Sequence, residues 1–312
     1  MRSDDAVGRS GATGQVHLIG NVNLDLVVGP VVPWPVAGTE RIVERREARV
    51  GGAAGVAAMA LQALGTPFRL HARIGDDAFG DLVRREMGAA GAQLEVVRAP
   101  TGTSVGLTHP HGERTFFTEL GHLGALDTDA VAVALERSEP GWVLVCGTFL
   151  LPSLRGDGGR RLLRRARDAG HRLLFDSGWP SEGFDSGVRG ELDALLPLVD
   201  MVLPNEAEAR AWAATDDLPE AMRRLERAGG RAVVKRGAAG ASWLERGDVR
   251  TASAPALVVA DTVGAGDAFN AALLVVLQAG GPLPVAVSRA VGYASRVAAT
   301  APRRYPEELP PA

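Results

Sequence analysis

From Gln15 onward, short apolar runs alternate with longer stretches whose apolar residues recur at helical spacing, and nothing repeats at a period of about 20 to 50 residues. Val16–Ile19, Trp142–Cys146, Arg172–Phe175, Met201–Leu203, Ala232–Val234 and Leu257–Val259 read as strands. Ala53–Leu64, Phe79–Ala90, Gly159–Asp168, Glu206–Ala213, Leu218–Ala228, Ala265–Gln278 and Leu283–Ala299 read as helices. Continuous apolar strands are buried on both faces, so the alternation predicts an α/β fold with a central, mostly parallel sheet covered by helices on both sides.

Two segments break the pattern. Residues 27–50 carry three prolines and then an Arg/Glu-rich extended stretch, and residues 103–120 read as a hairpin, TSVGLTH and RTFFTEL, around His109-Pro110-His111-Gly112-Glu113. Together they predict a small β-sheet inserted into the main domain as a lid. Residues 1–14 read as a loose leader, the tail from Pro302 as a terminal extension, and residues 15–312 as a single domain.

Composition narrows the class. The chain has 312 residues and one cysteine, Cys146, so it forms no internal disulfide, and a reducing compartment is the natural expectation. Thirty-four basic and 37 acidic residues give a net charge of −3, which offers no attraction to nucleic acid or anionic membrane. No apolar run approaches the roughly 18 residues needed to span a bilayer, and residues 1–14 lack the apolar core of a signal peptide, so the expected location is the cytoplasm. Every basic residue except Lys235 is arginine, which singles that position out.

In open parallel sheets ligands sit beyond the carboxyl ends of the strands. Polar and glycine residues gather there: Asn21, Asn23 and Asp25 after the first strand, Asp176, Asn205 with Glu208, Lys235 with Gly237, and then Asp261-Thr262-Val263-Gly264-Ala265-Gly266-Asp267. The last run precedes an apolar helix. Two glycines there let backbone N–H groups converge, and the helix start adds about half a positive charge, which makes an anion cradle. Asp267 falls in the first turn, where a carboxylate is expected to have a lowered pKa; a simple helix cap and a simple turn explain the same spacing. A dinucleotide fingerprint would need a third glycine where Phe269 stands, and no Walker A pattern exists.

The run DTVGAGDAFNAALL closely resembles the C-terminal signature of the PfkB-type (ribokinase-like) carbohydrate kinases. Gly51-Gly52-Ala53-Ala54-Gly55-Val56-Ala57-Ala58 through Leu64-Gly65 resembles their N-terminal signature, followed by Ile74-Gly75-Asp76-Asp77-Ala78-Phe79-Gly80. Asn205-Glu206-Ala207-Glu208 is similar to their N-x-x-E element. The resemblance implies a ribokinase-like fold and ATP-dependent phosphorylation of a hydroxymethyl group on a small sugar. By that resemblance Asp267 is the base, and Gly264, Ala265, Gly266 and Asp267 form the anion hole. Phosphoryl transfer passes through a loose transition state, so positioning by an aspartate outweighs its basicity.

The same resemblance places Asn23 and Asp25 on the sugar, with Gly51 and Gly52 as the backbone it approaches. Lys235, Gly237 and Gly240 would lie at the nucleotide phosphates, Asn205 with them, and Glu208 with Asn205 would hold Mg²⁺ through water. Read without the family, Asn205 and Glu208 are an N-cap and a surface glutamate, and Lys235 is an exposed strand-end lysine. Family lids often pair, so a homodimer through the lid is expected. Two departures stand out. Val56 replaces an Asn that commonly binds sugar, and Ala301-Pro302-Arg303-Arg304-Tyr305-Pro306 lacks the Gly-Ala of a monovalent cation site, which argues against K⁺ dependence. A nucleoside kinase of the same fold, or a catalytically silent sugar- or nucleotide-binding relative, are the alternatives.

Overall fold

The structure is a computed structural model that describes residues 14–109 and 114–312. The expected leader thus lies outside the described residues apart from Gly14, and the hairpin turn lies outside them apart from His109.

The chain enters through β1 (Val16–Ile19), crosses into a small sheet by β2 (Asn23–Gly29) and β3 (Arg45–Gly51), and returns through α1 (Ala53–Ala63) to β4 (Phe68–His71). After β5 (Arg73–Gly75), α2 (Ala78–Met87) and β6 (Glu95–Val97) it forms β7 (Thr103–Thr108) and β8 (Arg114–Glu119). Then come α3 (Thr128–Glu136), β9 (Trp142–Cys146), α4 (Gly156–Asp168), β10 (Arg172–Asp176) and α5 (Ser186–Asp193). The remainder is β11 (Met201–Val202), α6 (Glu206–Ala213), α7 (Leu218–Ala228), β12 (Arg231–Lys235), β13 (Ala241–Glu245), β14 (Asp248–Ala252), α8 (Ala265–Gln278) and α9 (Leu283–Ala298).

Eight strands make the main sheet in the order β14-β13-β12-β11-β10-β9-β1-β4. All neighbours from β4 to β12 run parallel, and β13 and β14 turn back antiparallel. Side-chain alternation explains why the strands read as continuous apolar runs. Val16, Leu18 and Leu144 enter one core layer beneath α1, α8 and α9, while Ile19, Val143 and Val145 enter the other beneath the helices α3 to α7. Strand order reverses at β1, with β4 on one side and β9 on the other, and this is where a crevice opens at the carboxyl edge. Gly20, Gly147 and Ser177 follow β1, β9 and β10 there.

The small sheet has the order β3-β2-β7-β8. It starts at Asn23 rather than at Val27, so the acceptor candidates Asn23 and Asp25 stand on it. One expected strand is absent. Leu257–Val259 is loop, with exposures of 43, 89 and 55%. The edge beyond β12 is occupied by the β13–β14 hairpin, whose register Val233↔Trp243 buries Trp243 and Leu244, so the later apolar triplet has no strand to pair with. Strand β4 escaped the pattern because FRLH alternates burial instead of running apolar. Among the described residues no helix is long and apolar enough to cross a membrane.

Candidate active site

A cavity of about 410 Å³ lies between the small sheet and the carboxyl edge of the main sheet, and Asn23, Asp25, Gly52, Val56, Gly264 and Asp267 all line it. Its floor is a buried relay. Asn21 Nδ2 donates to Asn23 Oδ1 at 2.9 Å, and Asn23 Nδ2 donates to Asp25 Oδ1 at 2.9 Å. Asn21 Oδ1 in turn accepts from the Ala53 N–H at the start of α1. Gly52 is the N-cap of that helix. Gly51 does not line the cavity; a Cβ there would stand 2.0 Å from Asp25 Oδ1, so its missing side chain makes room for the carboxylate itself. Burial raises the Asp25 pKa, opposed by the charges of Arg303 and Arg49.

The cradle lies opposite. Gly264 is the N-cap of α8 with φ 75°, a left-handed conformation that only glycine adopts without strain. The Ala265 N–H already donates to Thr262 O at 3.2 Å, whereas the Gly266 and Asp267 amides have no backbone acceptor among the described residues. These two amides of the expected set, and that of Gly264, which likewise donates to no described backbone atom, are therefore open to an anion. Lys235 packs over them, its Nζ 3.4 Å from where a Gly266 Cβ would stand.

Lys235 is partly buried, its side chain 14% exposed, rather than an exposed strand-end lysine. Its Nζ donates to Asp176 Oδ2 at 2.5 Å, and Asp176 also accepts from Asn270 Nδ2 at 2.6 Å. Burial alone would lower the Lys235 pKa, but the charges of Asp176 and Glu208 hold it above the usual lysine range. Asp267 departs from expectation. Burial first, then the Asp176 charge, push its pKa up to about 7 against Lys235 and Arg303, so desolvation outweighs the helix-start effect.

Asn205 and Glu208 form a complete capping box: the Glu208 N–H donates to Asn205 Oδ1 at 2.9 Å, and the Asn205 N–H to Glu208 Oε2 at 2.8 Å. The glutamate is nevertheless 5% exposed, and burial together with Asp176 raises its pKa to about 7. Three acids, Asp176, Glu208 and Asp267, thus surround one ammonium. That excess of negative charge suits a divalent cation. Among the described residues no three His, Cys, Asp or Glu side chains form a metal cage. Gly237 and Gly240 close the turn after β12, where the Arg236 N–H donates to Gly240 O at 2.7 Å.

Sequence reasoning passed over Arg49 and Arg303. Arg49 Nη1 pairs with Asp261 Oδ2, and both side chains are 9% exposed. The Arg303 guanidinium abuts Gly264, 3.0 Å from the position of a Cβ. Nothing in their local sequence distinguishes them from the other arginines. Asn270 had a signal, since it lies one helical turn beyond Asp267.

The model of pfkB family carbohydrate kinases matches residues 15–305. The chain belongs to this family. It is an enzyme, a sugar or nucleoside kinase of the pfkB type. It is 29% identical over 242 residues to fructokinase from Klebsiella pneumoniae, covering 74% of this chain and 78% of that one. It is 25% identical to ribokinase from Arabidopsis thaliana over 278 residues, 84% of this chain and 70% of the relative. The solved structure of Arabidopsis thaliana ribokinase complexed with ribose and ATP superposes with a TM-score of 0.75 at 22% identity, covering 92% of this chain and 93% of that one. Ribokinase from Thermotoga maritima superposes with a TM-score of 0.77 at 19% identity, over 92 and 93% of the two chains. These likenesses establish the ribokinase-like fold.

Proposed function

We propose that this pfkB kinase transfers the γ-phosphoryl group of ATP to a hydroxymethyl group of a small sugar or sugar derivative, with Asp267 as the base. One observation carries the reading: Asp267 lines a single cavity with the acceptor pair Asn23 and Asp25, while its own N–H and that of Gly266 open beside Lys235. The hydroxyl would rest between Asp25 and Asp267, and the migrating phosphoryl group would meet the two amides, which are fixed before the charge develops. Lys235, Gly237 and Gly240 would face the nucleotide phosphates, and Asn205 with Glu208 would hold Mg²⁺ through water. The ion supplies counter-charge to the phosphates.

Two guanidinium groups, those of buried Arg49 and partly buried Arg303, already stand beside Asp261 and Gly264, which supports a reaction without K⁺. The small sheet acts in this reading as the lid and as the surface through which two copies pair.

Asp267→Asn tests the proposal. The amide keeps the size and loses the base, so kcat should fall by about 10²- to 10⁴-fold while ATP binding, followed by titration calorimetry, persists. An unaltered kcat removes Asp267 from the chemistry.

A further inference from the structure

The cavity has two unlike walls. On the small sheet Asn23, Asp25 and Ser104 form a polar stretch suited to hydroxyls, flanked by Phe116, whereas Phe149, Leu150 and Trp179, which follow β9 and β10, form an apolar side. The aromatic rings are prepared for contact. Trp179 is 55% exposed, yet its indole is braced edge-on by Phe184, with ring centroids 5.1 Å apart at 78°. Behind Phe149 the Arg155 guanidinium lies 5.0 Å from the ring centroid and is itself tied to Glu182 and Glu191. Phe116, on β8, folds across Gly106, where any Cβ would come within 2.8 Å of the ring. Val56 extends the apolar character to the cavity's inner end, where it is 2% exposed.

Charge narrows the occupant further. Among the described lining residues the charged side chains are Asp25 and Asp267, both acidic, and no Lys, Arg or His joins them. An acceptor carrying a phosphate or carboxylate would face these two acids directly, since the nearest cations, Arg303 and Lys235, stand behind the lining at Gly264 and Gly266. A bare pentose or hexose would satisfy the polar wall and leave Trp179 and Phe149 facing water.

We propose that the acceptor is an uncharged polyol joined to a flat apolar ring, with the polyol held by Asn23 and Asp25 and the ring clamped by Phe149 and Trp179. This rests on the kinase reading above and specifies its substrate class. Nucleosides and aryl glycosides both carry that chemistry.

The test follows ADP release by the full chain with Mg²⁺ and ATP across free pentoses and hexoses, their monophosphates, purine and pyrimidine nucleosides, and phenyl glycosides. The expected result is a kcat/KM at least about tenfold higher for a ring-bearing acceptor than for its parent sugar, in the range that one aromatic contact supplies. Whether nucleosides or phenyl glycosides lead tells the two sources apart. In Trp179→Ala the ratio of the two kcat/KM values should fall about tenfold, and Trp179→Phe should restore most of it; circular dichroism confirms that both variants fold. Parent sugars that match or exceed their ring-bearing derivatives, or a preference for monophosphates, overturn the proposal and leave the kinase reading standing. Should no compound be phosphorylated, the proposed transfer to a small sugar or sugar derivative falls. The clamp is then judged by melting temperature: a rise with a nucleoside or phenyl glycoside and none with the parent sugar upholds it, and no rise with either overturns it.

Discussion

Asp267 must hold a negative charge in a place that resists it. Asp176 on β10 and Asp25 on β2 repel its carboxylate, Lys235 on β12 and Arg303 from the tail attract it, and burial tips the balance toward the proton up to about pH 7. The base is active only when ionised, so kcat/KM should climb with pH through about 7 and level off above, whereas a simple helix-cap aspartate would give a flat profile at neutral pH with its limb near 4 or below. Lys235→Met removes a nearby cation and should move that limb to higher pH; a limb unmoved in the variant, or one centred near 4 in the wild type, contradicts this electrostatic account. The identity of the acid was legible in its motif. Its protonation was not, because desolvation depends on Asp176 and Lys235, which are 91 and 32 residues away in the chain and are brought close only by the sheet order.

Elements were legible wherever one periodicity ruled the whole segment. Strands β9 and β10 announce themselves as apolar runs, and α8 by Phe269, Leu273 and Val276 at helical spacing. The β13–β14 hairpin, with the charged edge strand Asp248–Ala252, did not, and the apolar loop Leu257–Val259 imitated it. Strands β1 and β4 hold another surprise. His17 Nδ1 lies 3.0 Å from His71 Nε2, the rings stack at 5.3 Å, and His171 meets His17 edge-on. Burial first, and then mutual repulsion for His17, lower these pKa values from the ordinary histidine value of 6.5 to about 3 for His17 and, with Arg69, to about 4 for His71. The unfolded chain therefore binds protons that the folded chain refuses, and stability should be full above about pH 6.5 and drain away as pH falls toward 4. Thermal melts of the wild type and His17→Leu across that window check it. A melting temperature equally pH-dependent in both rejects the histidine pair as the cause.

At the scale of the molecule, the family motifs fixed the fold and the crevice, while the contacts between the small sheet and the cradle arose from residues with no motif. Arg49 on β3 reaches Asp261 at the mouth of the cradle, joining the two sheets' functional edges through a buried ion pair. With guanidinium groups built in at this place, phosphorylation should proceed equally in K⁺, Na⁺ and choline salts at constant ionic strength; a several-fold stimulation by K⁺ would show that the arginines do not substitute for it. The far side of the small sheet bears Phe117 at 56% and the loop between β2 and β3 bears Ile42 at 96% exposure, apolar surface that pairing of two copies would cover. Sedimentation at micromolar concentration should give a dimer, which Phe117→Glu with Ile42→Glu dissociates. A monomeric wild type rules this surface out.

Because arginine fills every other basic position, Lys235 is the sole side-chain amine in the chain. An acylating reagent thus has one lysine target, paired with Asp176 and packed against Gly266, which the proposed function places at the nucleotide phosphates. If nucleotide binds there as proposed, protection of Lys235 from acylation, read on its own peptide in a mass spectrum, reports nucleotide occupancy without any engineered label.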